Sequence, residues 1–201
     1  MLDRFATALL RPAVHRLAQT MGRTGISANS ITLVGFGLGV FAAALIATHH
    51  SHFALVVMAV SRLCDALDGA VARLHTPTDA GGFLDIALDF VFYASIPLAF
   101  AIAAPESNAL AAATLLAAFV GTGSSFLAYA ALAAKRGMHN TAFPDKSIYF
   151  LGGLTEATET LAFFAAMCVW PQHFATLAYT FAGLCALTTI TRIWWGWKSF
   201  A

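Results

Sequence analysis

The chain has 201 residues, of which 59% are hydrophobic and 10% charged, with a formal net charge of +1 and a mean hydropathy of +0.75. An ordinary soluble domain carries about 25% charged residues, so this composition excludes a water-soluble globule and points to a single-domain integral membrane protein. The near-zero net charge carries no sign of a nucleic-acid partner, and none is expected.

The first 27 residues carry Arg4, Arg11, Arg16 and Arg23 among Leu2, Phe5, Leu9, Leu10, Val14 and Leu17. This pattern suits an amphipathic juxtamembrane helix lying on an anionic membrane surface, which Pro12 should bend or break. No long apolar run with a small-residue cleavage site is present, so no removable signal peptide is expected.

Residues 28–201 form the transmembrane domain. Six apolar stretches, approximately 31–48, 53–73, 82–104, 109–134, 148–169 and 173–195, each approach the roughly 20 residues needed to cross the hydrocarbon core. The linkers near His49–His52, Pro105–Asn108 and Trp170–Gln172 contain no Lys or Arg. The opposite side collects the N-terminal arginines with Arg73, Lys135, Arg136, Lys146 and Lys198. The positive-inside rule then places both termini in the cytoplasm, with an even number of spans. An all-α, six-span polytopic fold with a leading surface helix is expected. Cys64, Cys168 and Cys185 lie in apolar runs without CxxC spacing and read as ordinary buried thiols.

One stretch stands out from this apolar background: DALDGAVARLHTPTDAGGFLDIALD, from Asp65 to Asp89. Asp65 and Asp68 are three apart and Asp85 and Asp89 four apart, so each pair projects from one helix face. A carboxylate at bilayer depth costs ~2.5–3.5 kcal/mol, so four uncompensated ones would cost roughly 10–14 kcal/mol. Bound divalent cations are the simplest compensation. The topology sets the four near the cytoplasmic surface, whereas an ion-conducting path would more naturally place carboxylates at mid-membrane.

Ser61, Arg62, Asp65, Asp68, Gly69 and Ala72 share one stripe of the second span, so small residues leave room beside the carboxylates. All-carboxylate ligands suit hard ions such as Mg²⁺, Mn²⁺ or Ca²⁺. Four are enough for a two-metal site of the phosphoryl-transfer kind, with one carboxylate free to act as a base.

Asp65, Asp68, Gly69, Ala72 and Arg73, followed by Gly81, Asp85 and Asp89, resemble the DxxDGxxAR and GxxxDxxxD signature of the CDP-alcohol phosphotransferase family. The spacer Leu74–Ala80 is one residue shorter than the family's. The segment Ala28–Thr32 is similar to the family's PNxxT start, with alanine in place of proline.

The resemblance implies transfer of a phosphatidyl-type group from a CDP-linked lipid donor to an alcohol, with release of CMP. It implies Asp65, Asp68 and Asp85 as metal ligands and Asp89 as general base, also able to touch metal. Two Mg²⁺ or Mn²⁺ ions are expected. The nucleotide end of the donor would lie beside Asn29, Asp65, Gly69, Ala72 and Arg73, and the protein would be a homodimer. The active site is expected on the cytoplasmic side. CDP-diacylglycerol is the expected donor, because a lipid donor explains a site at the membrane boundary. A CDP-choline or CDP-ethanolamine donor with a diacylglycerol acceptor is the alternative within the class, and a small ion or metal transporter the rival outside it.

Outside the motif, Glu156 and Glu159 in the fifth span and Arg192 in the sixth are intramembrane ionisable residues. Such residues are functional candidates. They read either as an acceptor pocket for a polyol, polyol phosphate or amino alcohol, or as an interspan ion pair.

Overall fold

The computed structural model describes residues 3–23, 25–138 and 153–201, with the backbone alone for residues 3–10 and 23. All regular structure among the described residues is helical. The α-helices are α1 Asp3–Arg23, α2 Ala28–Ala47, α3 Ser51–Leu74, α4 Asp79–Ala103, α5 Pro105–Lys135, α6 Ala157–Val169 and α7 Phe174–Phe200, with a 3-10 turn, Pro171–His173, ahead of α7.

Two of these helices begin at hydroxyl caps. Ser27 is extended and its Oγ accepts the Ser30 N–H at 3.1 Å. Thr78 is extended likewise, and its Oγ1 accepts the Gly81 N–H at 3.1 Å. Each cap satisfies a backbone donor that the first turn leaves without a partner.

α2 packs on both α3 and α4, and two glycines make this possible. A Cβ on Gly35 would stand 2.8 Å from Cys64 Cβ of α3, and one on Gly39 would stand 2.6 Å from Phe92 Cδ2 of α4. Ser61 of α3 donates to the Gly35 carbonyl oxygen at 2.7 Å. Small residues and interhelical hydrogen bonds hold helices together where both surroundings are equally apolar. The result sets the acidic ends of α3 and α4 across one cleft, with α2 as its third wall.

The main core runs through Phe92, Ile96, Phe100, Leu115, Phe164, Phe174 and Phe181, all buried. The rings of Phe100 and Phe174 stack at 4.5 Å and those of Phe163 and Phe181 at 4.4 Å. A second, smaller core lies behind the acidic end of α3. There Ala18 of α1 packs with Ile31, Leu67, Ala70 and Val71.

Among the described residues, four helical segments are long and apolar enough to cross a membrane: α2, α4, α5, and α7 with its leading turn. α3 has 24 residues but carries Arg62, Asp65, Asp68 and Arg73. The described part of α6 has 13 residues. Large apolar side chains such as Phe53, Leu110, Val120 and Ile190 face outward, as a lipid-facing surface requires.

Two expectations are corrected. Pro12 does not break the first helix, since α1 continues through it; the position is exposed, so the carbonyl that proline leaves without a donor can find one outside the helix. The fifth stretch is not helical at Gly153–Glu156, and α6 starts only at Ala157. Glu159 Oε2 accepts the Glu156 N–H at 3.1 Å, an N-terminal capping contact. Residues 148–152 of that stretch, and Lys146, lie outside the described residues.

The close approach at Gly39 generates a stability test. Gly39→Ala should lower stability by about 1–3 kcal/mol, because Phe92 must shift within a filled core. Gly37→Ala, with nothing within 4 Å of its Cβ, should not destabilise. Equal thermal midpoints for Gly39→Ala and wild type in detergent would show that the contact is not tight.

Candidate active site

The buried residues Leu67, Ala70 and Val71 fix the rotation of α3 against α1. The opposite face of α3 then presents Asp65 and Asp68 to a cleft shared with α2 and α4. Thr32 and Phe36 of α2 and Asp85, Leu88 and Asp89 of α4 complete its walls, together with Arg62. The space inside is about 10 Å³, which is room for roughly one water-sized body.

Carboxylate oxygens of Asp65, Asp85 and Asp89 lie within 4.8 Å of one another. Asp68 is buried, 4% exposed, and its Oδ2 has no hydrogen-bond partner. Arg62 Nη1 donates to Asp89 Oδ1 at 2.7 Å and stands 3.4 Å from Asp65 Oδ1. Its Nη2 donates to Ser61 Oγ at 3.2 Å, and its guanidinium lies 3.9 Å from the centre of the Phe92 ring.

Four carboxylates with one guanidinium leave a surplus of negative charge, and a buried carboxylate oxygen without a donor faces the same cleft. Both features fit a divalent cation with oxygen ligands, of the Mg²⁺ or Mn²⁺ kind.

The residues expected beside a nucleotide, Asn29, Gly69, Ala72 and Arg73, lie on α2 and α3. A Cβ on Gly69 would meet only the Arg73 guanidinium, at 3.3 Å, so Arg73 lies across Gly69. Ala72 is half-buried on the same helix. Asn29 Oδ1 lies 3.0 Å from where a Gly81 Cβ would stand. Gly81 therefore lets the start of α2 meet the start of α4.

A second cavity, about 670 Å³, opens between α4, α5, α6 and α7. Its walls are mainly apolar, with Glu156, Thr155, Thr160 and Arg192 at its polar part, and Asp89 belongs to its wall as well as to the acidic cleft. Arg192 is buried, donates to the Thr122 carbonyl oxygen at 3.2 Å through Nη1, and has no hydrogen-bond partner at Nε. The Thr155 hydroxyl and N–H both reach Thr188 Oγ1, at 2.9 and 3.1 Å. Glu159 is not part of this wall; it caps α6.

Arg62 lies on the acidic stripe of α3, but nothing in the local sequence pairs it with Asp89. Its position three residues before Asp65 on that stripe was the available signal. Phe92, Gly39 and the Thr155–Thr188 contact carry no local signal at all.

A family model for CDP-alcohol phosphatidyltransferase matches residues 26–194. The inner membrane protein YnjF of Escherichia coli (strain K12) is 51% identical over 197 residues, covering 98% of this chain and 96% of its own. An archaetidylinositol phosphate synthase of Pyrococcus horikoshii is 33% identical over 97 residues, 48% of this chain and 51% of its own. The crystal structure of Mycobacterium tuberculosis phosphatidylinositol phosphate synthase PgsA1 with CDP-DAG bound aligns with a TM-score of 0.72 at 21% identity, over 92% of this chain and 93% of that one. The complex of the same protein with manganese and citrate gives a TM-score of 0.71 at 20% identity, over 92% and 88%. At these identities the solved structures share the fold.

The lone Asp68 oxygen generates a test by thermal unfolding. In chelator, Asp68→Asn should unfold no earlier than wild type, since it removes a buried charge from a like-charged cluster. Mn²⁺ at a hundredfold excess over its Kd should stabilise wild type by about 2.7 kcal/mol and the variant much less. Equal gains for both proteins would remove Asp68 from the metal site.

Proposed function

The chain belongs to the CDP-alcohol phosphatidyltransferase family, and from that premise we propose that it is a membrane enzyme of phospholipid synthesis, transferring a phosphatidyl group from CDP-diacylglycerol to an alcohol and releasing CMP. The observation that carries this reading is the double membership of Asp89, which lines both the acidic cleft and the large, mainly apolar cavity. A carboxylate in that position can meet a polar acceptor on one side and a diphosphate held at the acidic cleft on the other.

In this reading Asp65, Asp68 and Asp85 hold a divalent cation, Mg²⁺ or Mn²⁺. When bound, such an ion clamps the diphosphate and offsets charge on the leaving CMP. Asp89 takes the proton from the acceptor hydroxyl as its oxygen bonds to the phosphatidyl phosphorus and the bond to CMP breaks. Asn29, Gly69, Ala72 and Arg73, beside Asp65, flank the nucleotide. Glu156 and Arg192 orient the acceptor, a polyol, polyol phosphate or amino alcohol, while Glu159 supports Glu156 by capping α6. CDP-DAG and manganese in the two complexes of the structural neighbour support the donor and metal classes. Four carboxylates have oxygens enough for two ions.

The six helices α2–α7 cross the membrane, α1 lies on its cytoplasmic surface, and the site opens to the cytoplasm; the protein works as a homodimer. The Lys and Arg asymmetry of the loops and the inner-membrane location in the name of the E. coli relative support this placement. The charges of α3 gather in its second half and on its inward stripe, which is how a span can carry them.

Purified protein with CDP-diacylglycerol and Mg²⁺ or Mn²⁺, screened across alcohols, should release CMP with at least one acceptor; none with any acceptor sinks the assignment. In the same assay Asp89→Asn should lower kcat about 10²–10⁴-fold while CDP binding persists, and Glu156→Gln should raise the acceptor KM more than the donor KM. Full activity of Asp89→Asn would remove it as base, and equal KM effects of Glu156→Gln would remove the acceptor role. Topology has its own check. Single cysteines at Ser107 and Ser199, in a background without the native thiols, should label from opposite faces, and labelling from one face contradicts six spans.

A further inference from the structure

Resting on the acceptor roles proposed above for Glu156 and Arg192, we infer that Thr188 is a positioning residue for the acceptor: its hydroxyl fixes the segment Gly153–Glu156 against α7 and so sets the spacing of the two groups that hold the alcohol.

Glu156 and Arg192 reach the large cavity from different elements. Arg192 stands on α7, within a long regular helix. Glu156 is the last residue before α6, at the end of a non-helical run. A carboxylate accepts hydrogen bonds and a guanidinium only donates them, so an alcohol held by both has to match the distance between them. That distance is only as fixed as the segment that carries Glu156.

Thr188 supplies the fixing contact. It lies one turn before Arg192 on α7 and is fully buried, behind the cavity wall rather than in it. Its Oγ1 accepts the Thr155 N–H at 3.1 Å and the Thr155 hydroxyl at 2.9 Å, and donates to the Leu184 carbonyl oxygen at 3.0 Å. One proton and two lone pairs are thereby all used. The residue held in this way is the immediate neighbour of Glu156.

The methyl side of Thr188 is fitted as closely. A Cβ on Gly153 would stand 2.5 Å from Thr188 Cγ2 and 3.0 Å from Arg192 Nη2, so the bare Gly153 backbone lies against both side chains at once. Its N–H donates to Glu156 Oε1 at 3.3 Å. Arg192 is held from its other side, where Nη1 donates to the Thr122 carbonyl oxygen of α5 at 3.2 Å. Thr188 therefore joins the support of the carboxylate to the support of the guanidinium without touching the acceptor itself.

The test uses the full-length protein in detergent. Hydrogen–deuterium exchange should be faster across residues 153–160 in Thr188→Val and unchanged across residues 65–89; wild-type exchange at 153–160 overturns the inference. CMP release from CDP-diacylglycerol with Mn²⁺ is then followed with whichever of inositol, glycerol 3-phosphate or serine the wild type uses best. Thr188→Val should raise the acceptor KM roughly tenfold, the equivalent of about one hydrogen bond, while the donor KM stays within about twofold. Thr188→Ser, which keeps the hydroxyl, should restore the acceptor KM. Equal rises in both KM values, or no restoration by serine, would make Thr188 a structural tie between α6 and α7 and overturn the inference. Gly153→Ala gives a measurement that does not depend on the folding of Thr188→Val. It should also raise the acceptor KM, and adding Thr188→Ser, which removes Cγ2, should recover most of the loss; simple additivity of the two overturns the inference. Wild type that releases no CMP with any of the three alcohols sinks the proposed activity, and the exchange comparison then decides the Thr188 assignment by itself.

Discussion

The ion pair between Arg62 and Asp89 is the contact on which the rest of the site depends. Four carboxylates from two helices meet at one end of an apolar bundle, where like-charge repulsion and partial burial each carry a cost. The pair offsets part of that cost and also joins α3 to α4 at 2.7 Å. A guanidinium suits this position better than an ammonium, because its planar fork can address Asp89, Asp65 and Ser61 at once while its face lies on an aromatic ring.

The support behind that pair is built from small and large side chains in complementary places. Gly35 and Gly39 let α2 approach α3 and α4 at distances that no side chain would allow. Phe92 fills the space at Gly39 and forms the floor under Arg62. α1 closes the other side of α3 through Ala18, Leu67 and Val71. A displacement at Gly39 would thus pass through Phe92 to Arg62 and then to Asp89, three contacts from an apolar packing detail to the candidate base.

Two spaces of different character meet at Asp89. The acidic cleft is small and holds the charge. The larger cavity is mainly apolar, with Glu156, Thr155 and Arg192 at its polar part. The non-helical run Gly153–Glu156 ahead of α6 makes that polar part. Thr155 is pinned to Thr188 across 33 residues of sequence, so the chain turns into the cavity and sets Glu156 on its wall. A continuous helix through Gly153–Glu156 would have directed these side chains elsewhere.

Local sequence determined the helical class, the apolar surface and the four aspartates, because each depends on composition or on spacing along one helix. Asp65 and Asp68 share a face by the helical repeat alone, as do Asp85 and Asp89, and the motif spacing was enough to identify the family. Tertiary structure decided which charges face one another. Arg62 was visible on the acidic stripe, but its partner Asp89 lies 27 residues away on another helix, and no periodicity reports a contact across a helix interface. The same holds for Glu156 and Glu159. Their three-residue spacing predicts a shared helix face, yet a helix start falls between them, so one lines a cavity and the other caps α6. A spacing rule presupposes the helix to which it is applied, and only the packing of Thr155 against α7 set where that helix begins.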